Sequence, residues 1–180
     1  MTDSKADVPA ASSNRAQKSC LIWGWLALLV IVLDLGTKQL AERYLDYADP
    51  NFLLPVFDLT LLYNKGAAFS FLSDAGGWQR WLFAFIAVLV SIVIVIWLRR
   101  IERKQWWLGF ALSMILGGAL GNLYDRVVQG YVIDFISLHY QSYYFPAFNL
   151  ADSAITLGAV VLIIDILFLE AKRTSSKETT

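Results

Sequence analysis

Residues 81–98 carry no charged side chain at all. A helix needs about 20 mainly apolar residues, each rising 1.5 Å, to cross about 30 Å of hydrocarbon, so this run reads as a membrane span. Residues 106–124 form a second uncharged run, softened by Gly109, Gly117, Gly118, Gly121 and Asn122. A third, 153–169, is interrupted only by Asp165. The first apolar run, 20–33, is too short alone and must continue through Asp34 and Lys38 to about Tyr44. Four spans follow, at about 20–44, 79–98, 105–124 and 152–170, in one membrane domain (19–170) between polar, mobile tails (1–18 and 171–180). Composition agrees: apolar residues reach 57% and charged ones 17%, against roughly 25% charge in soluble domains. Lys+Arg and Asp+Glu both total 15, which leaves no net basic field to attract nucleic acid. One cysteine excludes a disulfide scaffold.

Basic residues set the expected orientation. Arg15 and Lys18 precede the first span, Arg99, Arg100, Arg103 and Lys104 join the second and third, and Lys172, Arg173 and Lys177 follow the fourth. Four spans return the chain to its starting side, so all three clusters and both termini are expected in the cytoplasm. Residues 15–33 have the charge-then-apolar order of a signal peptide, but no small-x-small site follows before Asp34, and the run is expected to stay as a span. Cys20 is read as a buried or interfacial thiol, because Lys18 and Ser19 are a poor prelude to lipidation. Between spans one and two, residues 57–61 alternate apolar and polar as a half-buried strand does. Between spans three and four, residues 132–136 read as a short strand or re-entrant piece, and the aromatic run 139–145 suits a membrane interface.

This topology gathers the polar residues at one depth. Asp34 and Lys38 near the end of span one, Asn122, Asp125 and Arg126 at the end of span three, and Asn149 and Asp152 at the start of span four share the outer boundary. Asp134 and Asn64 lie in the outer connections. An ionisable group in hydrocarbon costs about 2.5–3.5 kcal/mol on insertion scales and marks a candidate site. Asp34 and Lys38, spaced i,i+4, read first as a structural pair, and Asp125 beside Arg126 as a helix-end ion pair. Asp165 lies away from the cluster, as a packing or interfacial residue, and His139 reads as interfacial rather than catalytic. Asp134 and Asp152 have no basic residue within four positions. Two carboxylates brought close in low dielectric share a proton, giving an acid beside a base. Such a pair suits water attack on an amide, and equally a proton-coupled transporter or channel subunit. One His and one Cys leave little for a metal site, and no cofactor is expected. Ser113, Gly117 and Gly121 make a small-xxx-small face for close helix packing, as even a purely structural assembly factor would need.

Five motifs in order resemble one family: DLGTK at 34–38, NKGAAF at 64–69, GGALGNLYDR at 117–126, VIDF at 132–135 and FPAFNLADS at 145–153. They resemble the prolipoprotein signal peptidase (signal peptidase II) family of bacterial membrane aspartic endopeptidases, over about residues 20–170. The resemblance implies an all-α integral membrane fold of four transmembrane helices, with a small extracytoplasmic β-sheet cradle and a short mobile outer helix. Residues 57–61 and 139–145 are candidate counterparts of these two outer parts. It implies a catalytic pair, Asp134 and Asp152. Asp34, Lys38, Asn64, Gly66, Asn122, Asp125, Arg126, Asn149 and Ala151 fall where the family shapes its site or binds substrate. The implied substrates are diacylglyceryl-modified prolipoproteins at the bacterial inner membrane, cut before the lipidated cysteine. A monomer suffices, since the glycine face can be used within one chain.

Overall fold

The computed structural model describes residues 11–66, 77–102 and 105–169, with side chains from Ile22 to Phe168. The tail residues 1–10 and 170–180, residues 67–69 of the second motif, Arg103, Lys104 and the side chain of Cys20 therefore lie outside the described part. Four helices, α1 (Ala11–Tyr44), α2 (Trp78–Leu98), α3 (Trp106–Val128) and α4 (Leu150–Ile164), run alternately up and down. A π-helical turn, Asp165–Leu169, extends α4. All four are long and apolar enough to cross a membrane, the qualifying part of α1 being Ile22–Tyr44. Helix α1 begins inside the stretch read as a tail, where alanine, arginine, glutamine and lysine all favour helix. Helix α3 runs one turn past Tyr124, so Asp125 and Arg126 are helical.

Helix α3 is the central one and packs against the other three. Its glycines make that possible. A Cβ on Gly117 would lie 2.6 Å from Val30 Cβ of α1, and one on Gly121 2.5 Å from Asp34 Oδ2. On the adjoining face a Cβ on Gly118 would overlap the Ala151 carbonyl oxygen of α4. The expected small-residue face therefore seats α1, and its neighbour Gly118 seats α4. Leu108, Leu112 and Leu116 of α3 pack with Ala27 of α1 and Ile94 and Leu98 of α2 in the membrane core. Outward faces expose large apolar side chains such as Leu29, Phe85, Ile92 and Ile163, as lipid contact requires.

At the end where α1 and α3 finish and α4 starts lies a four-stranded antiparallel sheet: β1 (Asn51–Leu54), β2 (Phe57–Asn64), β3 (Val132–Tyr140) and β4 (Tyr143–Tyr144), in that spatial order. The expected strand at 57–61 extends to Asn64, and the one at 132–136 extends to Tyr140. Strand β1 carried no readable alternation, since all four of its residues are exposed. Residues 139–145 were a candidate for the short outer helix, but they form the end of β3, a two-residue turn and β4, with Phe145 just beyond it. Their aromatics pair across the hairpin, with His139 opposite Tyr144 and Tyr140 opposite Tyr143, the arrangement in which aromatic side chains stabilise strands. Among the described residues there is no separate short outer helix. The sheet's inner face packs Leu61, Ile133 and Phe135 onto Ala41 of α1.

Candidate active site

An ionic hub underlies the site. Lys38 Nζ donates to Asp34 Oδ2 at 2.7 Å and Asn122 Oδ1 at 3.0 Å, and lies 2.8 Å from Asp125 Oδ2. Three acceptors thus meet the three N–H bonds of an ammonium that is only 1% exposed. The expected Asp34–Lys38 pair is present. The expected Asp125–Arg126 pair is not, because Asp125 turns inward to the buried Lys38 ammonium, 2.8 Å away. Arg126 instead donates to the Asn122 carbonyl oxygen at 3.3 Å and lies over the Phe83 ring. Asp34 Oδ1 accepts the Ala151 backbone N–H at 2.8 Å, placing a carboxylate at the α4 N-terminus, where the helix dipole favours it. This one residue ties α1 to α4.

Above the hub three amides hold the two remaining acids. Asn122 receives Lys38 on its Oδ1, so its Nδ2 is turned outward to donate to Asp152 Oδ1 at 2.7 Å. Asn149 is the N-cap of α4: its Oδ1 accepts the Asp152 N–H at 2.9 Å, while Asp152 Oδ2 accepts the Asn149 N–H at 3.3 Å. The same Asn149 side chain donates through Nδ2 to Asp134 Oδ1 at 2.7 Å. Asn64 at the end of β2 donates to Asp134 Oδ2 at 3.0 Å and accepts the Gly66 N–H at 3.0 Å. Phe148 exchanges backbone hydrogen bonds with Ile136, which pins the segment before Asn149 alongside β3. Burial, and after it the negative charge of Asp152, push Asp134 up to about 7, against the amide bonds from Asn64 and Asn149 that favour its carboxylate.

Asp134 and Asp152 line one partly open cavity of about 710 Å³, together with Asn64, Gly66 and Arg126. Its remaining wall is largely apolar, from Leu138 and Phe145 on the sheet side to Leu157 and Val160 along α4. All the site residues read from the sequence are gathered here, with Asp34, Lys38, Asn122, Asp125, Asn149 and Ala151 beneath the cavity rather than lining it. Asp165 is buried further along α4, outside the cluster. Sequence reasoning did not find the capping box, although Asn149 followed three residues later by Asp152 is a variant of its signature. It also had no signal for the wall formed by Leu138 and Phe145.

Fold and site define a multi-pass membrane protein with two carboxylates lining a cavity at one end of its helices. The signal peptidase (SPase) II family model matches residues 26–168. The chain belongs to the signal peptidase II family, and is thereby a membrane protease. A lipoprotein signal peptidase of Acinetobacter baumannii is 57% identical over 158 residues, covering 88% of this chain and 90% of the relative. One of Pseudomonas putida is 57% identical over 148 residues, covering 81% and 86%. A bacterial membrane enzyme solved by the in meso method at 2.3 Å resolution superposes with a TM-score of 0.72, at 32% identity, covering 85% of this chain and 89% of that one.

Proposed function

We propose that the protein is an aspartic endopeptidase that removes the signal peptide from diacylglyceryl-modified prolipoproteins, cutting just before the lipidated cysteine. The observation that carries this reading is the convergence of Asp134, from β3, and Asp152, from α4, on one cavity, both held by Asn149. With Asp134 raised to about 7, it is the acid of the resting pair, and Asp152 is the base. Asp152 takes a proton from a water molecule as its oxygen adds to the scissile carbonyl, and Asp134 donates its proton to the carbonyl oxygen. Asp152 then passes its proton to the departing amine, the C–N bond breaks, and Asp134 recovers a proton from the diol as the new carboxyl forms. Asn64, Asn122 and Asn149 keep both carboxyl groups aimed. Arg126, on the cavity wall, orients the substrate backbone.

Lipid recognition fits the site's position. The basic clusters support a topology with both termini in the cytoplasm and the cavity at the outer face of the inner membrane, where a diacylglyceryl anchor would hold the substrate cysteine. The apolar wall running down α4 suits the anchored substrate, and a monomer supplies every residue of the site. A transporter would want ionisable groups at several depths, whereas the network above is concentrated at one end.

The test is cleavage of a lipidated model prolipoprotein by the purified protein. Asp134→Asn and Asp152→Asn should each lower kcat by about 10²–10⁴-fold, the usual worth of a positioned acid or base. Normal turnover by either variant would remove that residue from the pair. Equal cleavage of an unlipidated substrate would show that the lipid is not read.

A further inference from the structure

An acid–histidine pair lies behind the cavity wall. Asp58 of β2 is fully buried, and its Oδ1 lies 3.2 Å from His139 Nε2 on β3. A carboxylate out of water needs a donor, and its other oxygen, Oδ2, has no hydrogen-bond partner among the described residues. His139 touches every other strand of the sheet. Its ring stacks on Tyr144 of β4 at 5.2 Å and meets Phe52 of β1 edge-on at 6.3 Å. Its backbone N–H donates to the Val56 carbonyl at 3.0 Å.

The position matters because successive strand residues point to opposite faces. Leu138, next to His139, lines the cavity, and its carbonyl accepts the Phe145 N–H at 2.8 Å. Phe145, next to Tyr144, lines the cavity as well. Strand β4 has only two residues and a turn with Gln141 at φ +55°, so its own ladder is too short to fix it. Beside the Phe145–Leu138 backbone bond and the Phe145–Phe148 ring contact, the histidine adds a side-chain tie, stacked under Tyr144 and anchored on Asp58.

We infer that His139, held by Asp58, is a positioning residue that fixes the Leu138–Phe145 wall against which the apolar part of the substrate packs. It touches no reacting atom. Loosening it costs substrate binding and leaves the chemistry of Asp134 and Asp152 in place. This rests on the peptidase reading above.

Steady-state cleavage of the lipidated substrate is compared for the full-length wild type, His139→Phe and His139→Gln. Phenylalanine keeps the stack on Tyr144 and removes the donor, whereas glutamine keeps an N–H near the Nε2 position. His139→Phe should raise KM about tenfold with kcat little changed, the signature of lost uniform binding, and His139→Gln should restore the wild-type KM. Amide exchange at Phe145 should quicken in the phenylalanine variant alone. A wild-type KM in His139→Phe, or a fall in kcat without a rise in KM, would overturn the assignment. If His139→Phe does not fold, a KM for His139→Gln well above wild type overturns it, and a wild-type KM supports it. Failure of the wild type to cleave would instead count against the peptidase reading.

Discussion

Lys38 Nζ lies 3.0 Å from Asn122 Oδ1, so a buried ammonium decides which way the amide beside Asp152 faces. With its oxygen claimed by Lys38 and by Asn149 Nδ2 at 3.2 Å, Asn122 has only its N–H bonds left to offer the acid. A residue with no place in the cavity thereby orients the amide that holds Asp152, which lines it.

Replacing Lys38 by methionine keeps most of its length and removes its charge. Asp34 and Asp125 are then left as buried carboxylates without a cation, which costs about 3–5 kcal/mol. The thermal midpoint in detergent should fall steeply. Lys38→Arg should not restore it, because a planar guanidinium cannot meet three acceptors converging on one point. A Lys38→Met protein as stable as wild type would contradict the hub.

Asn149→Ala separates aim from stability. Loss of the N-cap costs about 1 kcal/mol. Both acids lose an anchor at the same time, and a misplaced catalytic group costs on the order of 100-fold in rate. Cleavage should therefore fall far more than the melting midpoint does. A matched, small decline in both would mean that Asn149 acts only as a cap.

The pH profile follows from Asp134. Its folded-state value, about 7, lies above the ordinary 3.8. Its contribution to stability is therefore complete below about pH 4 and is lost as pH rises through about 7. Asp134→Asn should flatten that slope in the melting midpoint. On the proposed mechanism cleavage needs the protonated form and should decline above about pH 7. Asn64→Ala removes a donor to the carboxylate form, so the alkaline limb of kcat/KM should move to higher pH. A limb that stays put or moves down would show that Asp134 is not the proton donor.

Gly118→Ala tests the helix contact that positions Asp152. The new methyl would run into the Ala151 carbonyl oxygen and lie 2.8 Å from Ile155 Cγ1. Overpacking of this kind costs about 1–3 kcal/mol. Because Ala151 precedes Asp152 in α4, the rate should fall along with the melting midpoint. Unchanged values for both would mean that α3 and α4 can part without disturbing the site.

Much of this was legible in the chain. The uncharged run ending α2 and the glycines of α3 announced spans and a packing face, because lipid forbids unpaired polar backbone and rewards close helix approach. Alternation exposed the core of β2. It failed for β1, an exposed edge strand whose residues are all outside the core. It failed also for residues 139–145, whose aromatic character fits an interface in any conformation. Asp125 was misread beside Arg126, since adjacency in sequence says nothing about which group a helix turns inward.

Apolar length and charge placement by themselves determined a four-span membrane protein with its polar residues at one boundary, because the cost of burying charge in hydrocarbon acts on each segment separately. Only the tertiary structure decided that Lys38 serves three acceptors, that Asn149 links Asp134 to Asp152, and that His139 meets Asp58. Those contacts join separate elements: the first two depend on how closely α3 lets α1 and α4 approach, and the third on the register of β2 against β3.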